Sequence, residues 1–219
     1  MKTQLGAVLF DLDGVIVNTA KYHYLAWKKL ADQEEIYFDE AINERLKGVS
    51  RMASLEIILE RSQKSYSSAQ KEAFAETKNN WYLDMIQQLT PTEILPGVIE
   101  FLSSLLRDSI KSAVCSASKS AAFIIEKLEL TKYFNTIVGG KDVKNSKPDP
   151  EVFLVGSERL EIPPAECLVI EDAAAGIEAA KRAGMKSLGI GSRVILANAD
   201  MVYHDMTEFT LNDVKLLFE

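Results

Sequence analysis

The stretch Ala7-Val8-Leu9-Phe10-Asp11-Leu12-Asp13-Gly14, near the N-terminus, constrains the fold of this chain more than any other. Its apolar half is typical of a buried β-strand, and the strand ends abruptly on two carboxylates and a glycine. If the backbone stays extended, Asp11 and Asp13 point toward the same side, because side chains two residues apart share a face. Two like charges there repel unless a cation or a proton intervenes, so the stretch predicts a metal ion and a reaction.

Two simpler interpretations compete with this one. In the first interpretation, the segment from Asp11 to Gly14 is only a turn, since Asp and Gly suit that geometry. The second, an EF-hand calcium loop, is excluded because that loop needs its glycine at position six and a glutamate at position twelve. Here the glycine is fourth, counted from Asp11, and an apolar run follows it.

The composition argues against several classes of protein. A net charge of -7 over 219 residues disfavours a nucleic-acid or acidic-membrane surface. The first apolar run is too short for a signal peptide, and no uncharged stretch is long enough to span a bilayer. Cys115 and Cys167 fall within predicted buried strands, and we expect them to be reduced core thiols. We therefore expect a soluble cytoplasmic protein with neither a nucleic-acid nor a membrane partner. Separately, we expect a monomer.

Helical periodicity replaces the strand pattern after Gly14. Asn18 or Thr19 is predicted to cap a first helix, and Ser50 a third. The four predicted helices cover about residues 18–32, 39–46, 50–61 and 67–89. The sequence thus predicts an inserted four-helix domain over residues 17–91, with a second domain formed by residues 1–16 and 92–219.

Short apolar runs alternate with helical segments through the second domain. Such alternation predicts right-handed crossovers and a doubly wound, Rossmann-like parallel sheet with helices on both faces, an α/β fold. In folds of this kind, ligands bind beyond the carboxyl ends of the strands. The residues that follow each predicted strand are therefore the candidate site residues.

Four predicted strands end in polar residues of complementary types. After Asp11 and Asp13 come Ser116-Ala117-Ser118-Lys119, where hydroxyls and backbone N–H groups before a helix suit a phosphoryl oxygen. Alternatively, Ser118 or Ser120 is an ordinary helix cap. Competing motifs are excluded, since there is no complete dinucleotide-binding glycine motif and no Walker sequence.

The other two strand ends carry one cation and two acids. Lys147 lies next to prolines that hold the chain extended, and it suits a phosphate, although it would be equally ordinary as a surface lysine. Glu171 and Asp172 follow a buried strand, where adjacent acids are costly unless a positive group joins them. Mg²⁺, which prefers carboxylate and carbonyl oxygens, fits Asp11, Asp13 and Asp172.

The four strand ends together resemble the four motifs of the haloacid dehalogenase superfamily of phosphotransferases, and the helical insert resembles its α-helical cap. By this resemblance Asp11 is the nucleophile that forms an aspartyl phosphate, and Asp13 is the general acid and base. Mg²⁺ would be held by Asp11, the Asp13 carbonyl and Asp172, with Glu171 nearby. Ser116 and Lys147 would hold the phosphoryl oxygens.

The cap sequences resemble those of the hexose-phosphate mutases of this superfamily. The resemblance is carried by residues 19–27, 46–51 and 78–79. It implies isomerisation of β-glucose 1-phosphate to glucose 6-phosphate through a bisphosphate that turns around in the site. The implied contacts to sugar and second phosphate are Thr19, His23, Trp27, Lys47, Gly48, Val49, Ser50, Arg51 and Lys78, joined by Ser116, Ala117, Ser118 and Lys119.

Several alternatives stay open. Arg51 taken alone reads as a surface arginine, His23 as a structural histidine and Trp27 as packing. Asn18 and Ser120 depart from the pattern, since related enzymes have an acid and an asparagine there. A sugar-phosphate phosphatase of the same architecture is the main rival function, because fold alone does not fix function. A non-catalytic sugar-phosphate sensor is the other rival, and the retained acids argue against it.

Overall fold

The computed structural model describes residues 4–46 and 49–219. The chain divides into two compact units, Thr19–Leu89 and the pair of segments Met1–Asn18 and Thr90–Glu219. We refer to them as the helical unit and the sheet unit. These junctions lie two residues from the boundaries that the sequence analysis proposes.

The described part of the helical unit contains four helices: α1 (Ala20–Gln33), α2 (Glu40–Glu44), α3 (Arg51–Leu59) and α4 (Ser68–Ile86). Side chains of Asp39, Ser50 and Ser67 accept backbone N–H groups at the starts of α2, α3 and α4, as such residues do at helix N-termini. Thr19 precedes α1 but makes no capping bond, because it already has helical backbone angles. The predicted helix start at Thr19 is confirmed, but the Thr19 side chain does not cap it.

Six parallel strands form the sheet of the other unit: β1 (Ala7–Phe10), β2 (Lys111–Cys115), β3 (Thr136–Val138), β4 (Cys167–Glu171), β5 (Lys186–Ile190) and β6 (Met201–Tyr203). Their order across the sheet is β3-β2-β1-β4-β5-β6. In register, Phe10 pairs with Val114 on one side and Ile170 on the other, so the segments that follow β1, β2 and β4 leave the sheet side by side. The predicted doubly wound α/β fold is confirmed.

Helices cover both faces of this sheet: α5 (Val98–Arg107), α6 (Ala121–Lys127), α7 (Glu151–Leu160), α8 (Ala174–Arg182) and α9 (Leu211–Lys215). Leu9 packs in one core cluster with Phe153 of α7 and Ala179 of α8. Phe10 points to the other face and meets the ring of Phe101 of α5 edge-on. Alternating side chains of β1 therefore fill two cores, as expected for a strand buried on both faces.

Two further sequence predictions bear on this framework. Cys115 and Cys167 are buried and free, so both are core thiols as predicted. Within the described residues, no helix has both the length and the apolar character needed to cross a bilayer.

Candidate active site

A buried lysine joins two carboxylates at the carboxyl end of the sheet. Lys147 Nζ donates to Asp11 Oδ1 at 2.5 Å and to Glu171 Oε1 at 2.7 Å, and all three residues are buried. The backbone N–H of Asp11 donates to the carbonyl of Ile170 at 2.9 Å, which extends the β1–β4 pairing by one residue. The two neighbouring strands thus bring Asp11 and Glu171 to a single cation.

Three carboxylates at this edge could hold a metal ion. One oxygen each from Asp11, Glu171 and Asp172 lies within 4.8 Å of the other two. Gly14 makes room for this arrangement, because a Cβ there would lie 2.2 Å from Asp172 Oδ2 and the residue has a left-handed φ of +84°. The set consists of hard oxygen donors and carries excess negative charge, which fits a divalent cation such as Mg²⁺.

Glu171 is held by more than its ion pair. Its second oxygen accepts the N–H of Ala173 at 2.8 Å, at the start of α8. A Cβ on Gly176, one turn into that helix, would lie 1.8 Å from Glu171 Oε1. Helix α8 can therefore approach the carboxylate only because residue 176 has no side chain.

Burial and charge set the protonation of this cluster. Burial, aided by Glu171 and opposed by Lys147, raises the pKa of Asp11 to about 6. Burial alone would lower the pKa of Lys147, but the carboxylates of Asp11 and Glu171 outweigh it and raise that pKa above its usual value. The ammonium group therefore stays charged while the nucleophile candidate gains a proton in mildly acidic solution.

The loop after β2 presents hydroxyls and backbone N–H groups at the same edge. Ser116 is buried, and its Oγ accepts the N–H of Ser118 at 3.0 Å, which leaves its own hydroxyl proton able to donate. Ser118 Oγ accepts the N–H of Ser120 at 3.2 Å. Ser120 is the N-cap residue of α6, but its side chain makes no capping bond.

In the helical unit, the buried Lys78 and the half-buried His23 form an aromatic-lined cluster. Lys78 Nζ lies 2.8 Å from His23 Nδ1 and 4.5 Å from the centre of the Trp27 ring. His23 stacks on Tyr82 with ring centres 4.0 Å apart. Burial, together with the charges of Lys78 and Arg51, holds the pKa of His23 well below its usual value. The neutral imidazole accepts at Nδ1 from the ammonium, so its proton is on Nε2.

The remaining predicted cap residues divide into three groups. Ser50 caps α3 by accepting the N–H of Ala53 at 3.3 Å, and Arg51 is the first residue of that helix. Thr19 is fully buried, and its hydroxyl has no hydrogen-bond partner among the described residues. Lys47 and Gly48 lie outside the described residues.

Comparison with known proteins decides the family. A family profile described as haloacid dehalogenase-like hydrolase matches residues 8–190. The chain belongs to the haloacid dehalogenase-like family. Within this family, the chain is 43% identical over 207 residues to the β-phosphoglucomutase of Bacillus subtilis strain 168. The aligned region covers 94% of this chain and 92% of that protein.

Other members of the haloacid dehalogenase-like family are similar to different degrees. A crystal structure of β-phosphoglucomutase from Clostridium difficile superposes with a TM-score of 0.93 and 40% identity, covering 98% of this chain and 97% of that one. The phosphorylated carbohydrates phosphatase of Thermotoga maritima is 32% identical over 185 residues, covering 83% of each chain. The predicted resemblance is confirmed, and these similarities support a mutase more strongly than the rival phosphatase.

Three of the four predicted metal ligands lie together in the structure. They are Asp11, Glu171 and Asp172. β1 ends at Phe10 and Asp13 lies beyond it, and the role of Asp13 as general acid and base stays a prediction. The sequence assigned no role to Gly176 or Tyr82, because their contacts join residues that no spacing rule relates.

Proposed function

We propose that this protein is a β-phosphoglucomutase that isomerises β-glucose 1-phosphate to glucose 6-phosphate through an aspartyl phosphate and β-glucose 1,6-bisphosphate. The observation that carries the proposal is the 43% identity to a β-phosphoglucomutase over 94% of the chain, which takes in the helical unit as well as the sheet unit. The buried Asp11–Lys147–Glu171 group supplies a nucleophile candidate with a fixed cation beside it.

Asp11 and Asp13 divide the chemistry between them. The C6 hydroxyl of the substrate attacks phosphorus on phosphorylated Asp11, the bond from phosphorus to the Asp11 oxygen breaks, and Asp13 takes the hydroxyl proton. The bisphosphate then turns around. Asp11 attacks the C1 phosphoryl group, the bond from phosphorus to the C1 oxygen breaks, and Asp13 returns the proton to that oxygen. The phosphoenzyme is regenerated and glucose 6-phosphate leaves.

Groups at the carboxyl end of the sheet would stabilise the transferring phosphoryl group. The carboxylates of Asp11, Asp172 and Glu171, with the backbone carbonyl of Asp13, would hold Mg²⁺, which when bound offsets negative charge on nucleophile and phosphoryl oxygens. Lys147 and the Ser116 hydroxyl would contact the remaining phosphoryl oxygens, since both groups donate hydrogen bonds and both lie buried beside Asp11 or at the end of the adjacent strand.

The helical unit would supply the contacts that distinguish a mutase from a phosphatase. A bisphosphate needs a cation for its second phosphate, and the Arg51 guanidinium suits a bidentate contact. His23 and Lys78, which are already held together, would contact the sugar or transmit its binding. The further proposed contacts from this unit are Thr19, Trp27, Lys47, Gly48, Val49 and Ser50.

A product assay tests the proposed function. With β-glucose 1-phosphate, Mg²⁺ and a trace of the bisphosphate, we expect glucose 6-phosphate to account for nearly all substrate consumed, measured by a coupled dehydrogenase assay. Enzyme treated with EDTA is the control and should form no product. Release of inorganic phosphate and glucose in equal amounts would instead identify a phosphatase and overturn the proposal.

Magnesium affinity should depend on pH because a proton competes for Asp11. Burial raises the pKa of this carboxyl to about 6. In the metal-free protein, Asp11 is therefore mostly protonated at pH 5 and mostly ionised at pH 7. Mg²⁺ should bind about tenfold more weakly at pH 5 than at pH 7, as measured by titration calorimetry. The Asp11→Asn variant should lose most of this difference. Equal wild-type affinities at the two pH values would contradict the assignment of Asp11 as a ligand.

A further inference from the structure

Gly140, the second of two glycines after β3, approaches the β2 loop more closely than any other residue type allows. The N–H of Gly140 donates to the carbonyl of Ser118 at 3.0 Å. A Cβ on Gly140 would lie 2.2 Å from the carbonyl oxygen of Ala117, whereas one on Gly139 would come no closer than 3.1 Å to Ser118. The contact therefore requires glycine at position 140, whereas a methyl group at position 139 would need a shift of only a few tenths of an ångström.

The turn that carries these glycines is fixed from behind by an ion pair. Asp142 Oδ2 accepts the N–H of Gly139 at 2.8 Å, and Asp142 Oδ1 accepts from Arg159 of α7 at 2.6 Å. Arg159 also donates to the carbonyl of Ile137 in β3 at 3.0 Å. A helix on the sheet thus holds the turn in one position against the loop.

We propose that residues 139–142, which we name the buttress turn, position the Ser116 hydroxyl for phosphoryl transfer. Gly140 donates to the Ser118 carbonyl and lies against the Ala117 carbonyl, so it fixes the peptide between Ala117 and Ser118. The N–H of that peptide donates to Ser116 Oγ at 3.0 Å and so orients the hydroxyl. A group that contacts a transferring phosphoryl must be placed to within a fraction of an ångström, and supporting residues provide that accuracy. The inference rests on the proposed function, since it assigns Ser116 to the phosphoryl oxygens.

The neighbouring glycines provide a matched pair of variants. Gly140→Ala should force the Ala117 peptide to move, weaken beryllofluoride binding in the presence of Mg²⁺ at least about tenfold, and lower kcat by a similar factor. Gly139→Ala should change both by less than about threefold, because its Cβ would require the Ser118 carbonyl to shift by only a few tenths of an ångström. Beryllofluoride binding is measured by calorimetry, kcat by the product assay, and the melting temperature of each variant is recorded.

A second pair decides the question if Gly140→Ala fails to fold. Arg159→Gln removes the ion pair behind the buttress turn, whereas Lys186→Gln removes the pair with Asp200, which has a similar length of 2.9 Å and similar exposure. We expect beryllofluoride affinity to fall about threefold or more for Arg159→Gln and to stay at the wild-type value for Lys186→Gln.

Equal effects within either folded pair would overturn the inference, because a purely structural role would not distinguish the partners. This result is separable from failure of the proposed function. A wild-type protein that binds beryllofluoride without forming glucose 6-phosphate, and whose binding is weakened by Gly140→Ala, would refute the mutase and retain the buttress turn. A wild-type protein that is a mutase, but whose Gly140→Ala and Gly139→Ala variants behave alike, would retain the proposed function and refute the role of the buttress turn.

Discussion

Replacing Lys147 with Met should lower the free energy of unfolding of the metal-free protein by about 3–5 kcal/mol and abolish turnover. Lys147 is 3% exposed and its ammonium lies between the carboxylates of Asp11 and Glu171. Met fills much of the same volume but leaves two buried acids facing each other without a cation. The cost is that of uncompensated buried charge, which exceeds the value of any single hydrogen bond.

Urea unfolding at pH 7 in EDTA measures this cost, with Lys111→Met as the matched control. Lys111 is the first residue of β2 and is partly buried, but its ammonium donates to the carbonyl of Leu160 at 2.6 Å and not to an acid. Its loss should cost about 1 kcal/mol. Adding Mg²⁺ should restore part of the stability of Lys147→Met, because a divalent cation would join the same carboxylates. Equal unfolding free energies for the two variants in EDTA would show that Lys147 does not neutralise the acids.

Much of the sheet unit could be predicted from sequence because its signals are local. Apolar runs of four or five residues identify the strands, and the polar residues directly after them identify the catalytic edge once the strands are parallel. Cap residues such as Ser50 and Ser67 likewise act within three residues of themselves. These predictions do not depend on contacts between residues that are distant in the sequence.

The finer geometry of the site depends on contacts between distant residues. Lys147 and Glu171 are 24 residues apart, and His23 and Lys78 are 55 apart, so no periodicity relates them. The sequence also predicts that Asp11 and Asp13 share a side, which holds only if the strand continues. The strand ends at Phe10, and the carboxylate of Glu171, which shares Lys147 with Asp11, comes from β4.

Glycines illustrate the same limit. The sequence marks Gly14 as a turn residue, and its φ of +84° agrees with that interpretation. The need for glycine at position 176 has a different cause, because there the neighbouring Glu171 carboxylate fills the space of a Cβ. A glycine of this kind is required by the residue packed against it, and only the folded structure shows which residue that is.

Changing Asp11 to Asn should lower turnover at least about 10⁴-fold while leaving the metal-free protein as stable as the wild type, or more stable, at pH 7. The amide cannot form the aspartyl phosphate, but its oxygen can still accept from Lys147. Wild-type Asp11 has a folded pKa of about 6 against an ordinary value of 3.8, so ionising it opposes folding. The stability that the protonated Asp11 carboxyl contributes is fully present below about pH 4 and is lost as the pH rises through about 6.

The pH dependence separates a catalytic loss from a folding defect. In EDTA, the free energy of unfolding of Asp11→Asn relative to wild type should rise between pH 4 and pH 7, because only the wild type loses stability in that window. Asp84→Asn, at an exposed position on α4, should keep wild-type turnover and show no such trend. Turnover above about 1% of wild type in Asp11→Asn would mean that another group is the nucleophile. A variant that loses stability at pH 7 would mean instead that the ionised carboxylate, paired with Lys147, stabilises the fold more than its burial costs.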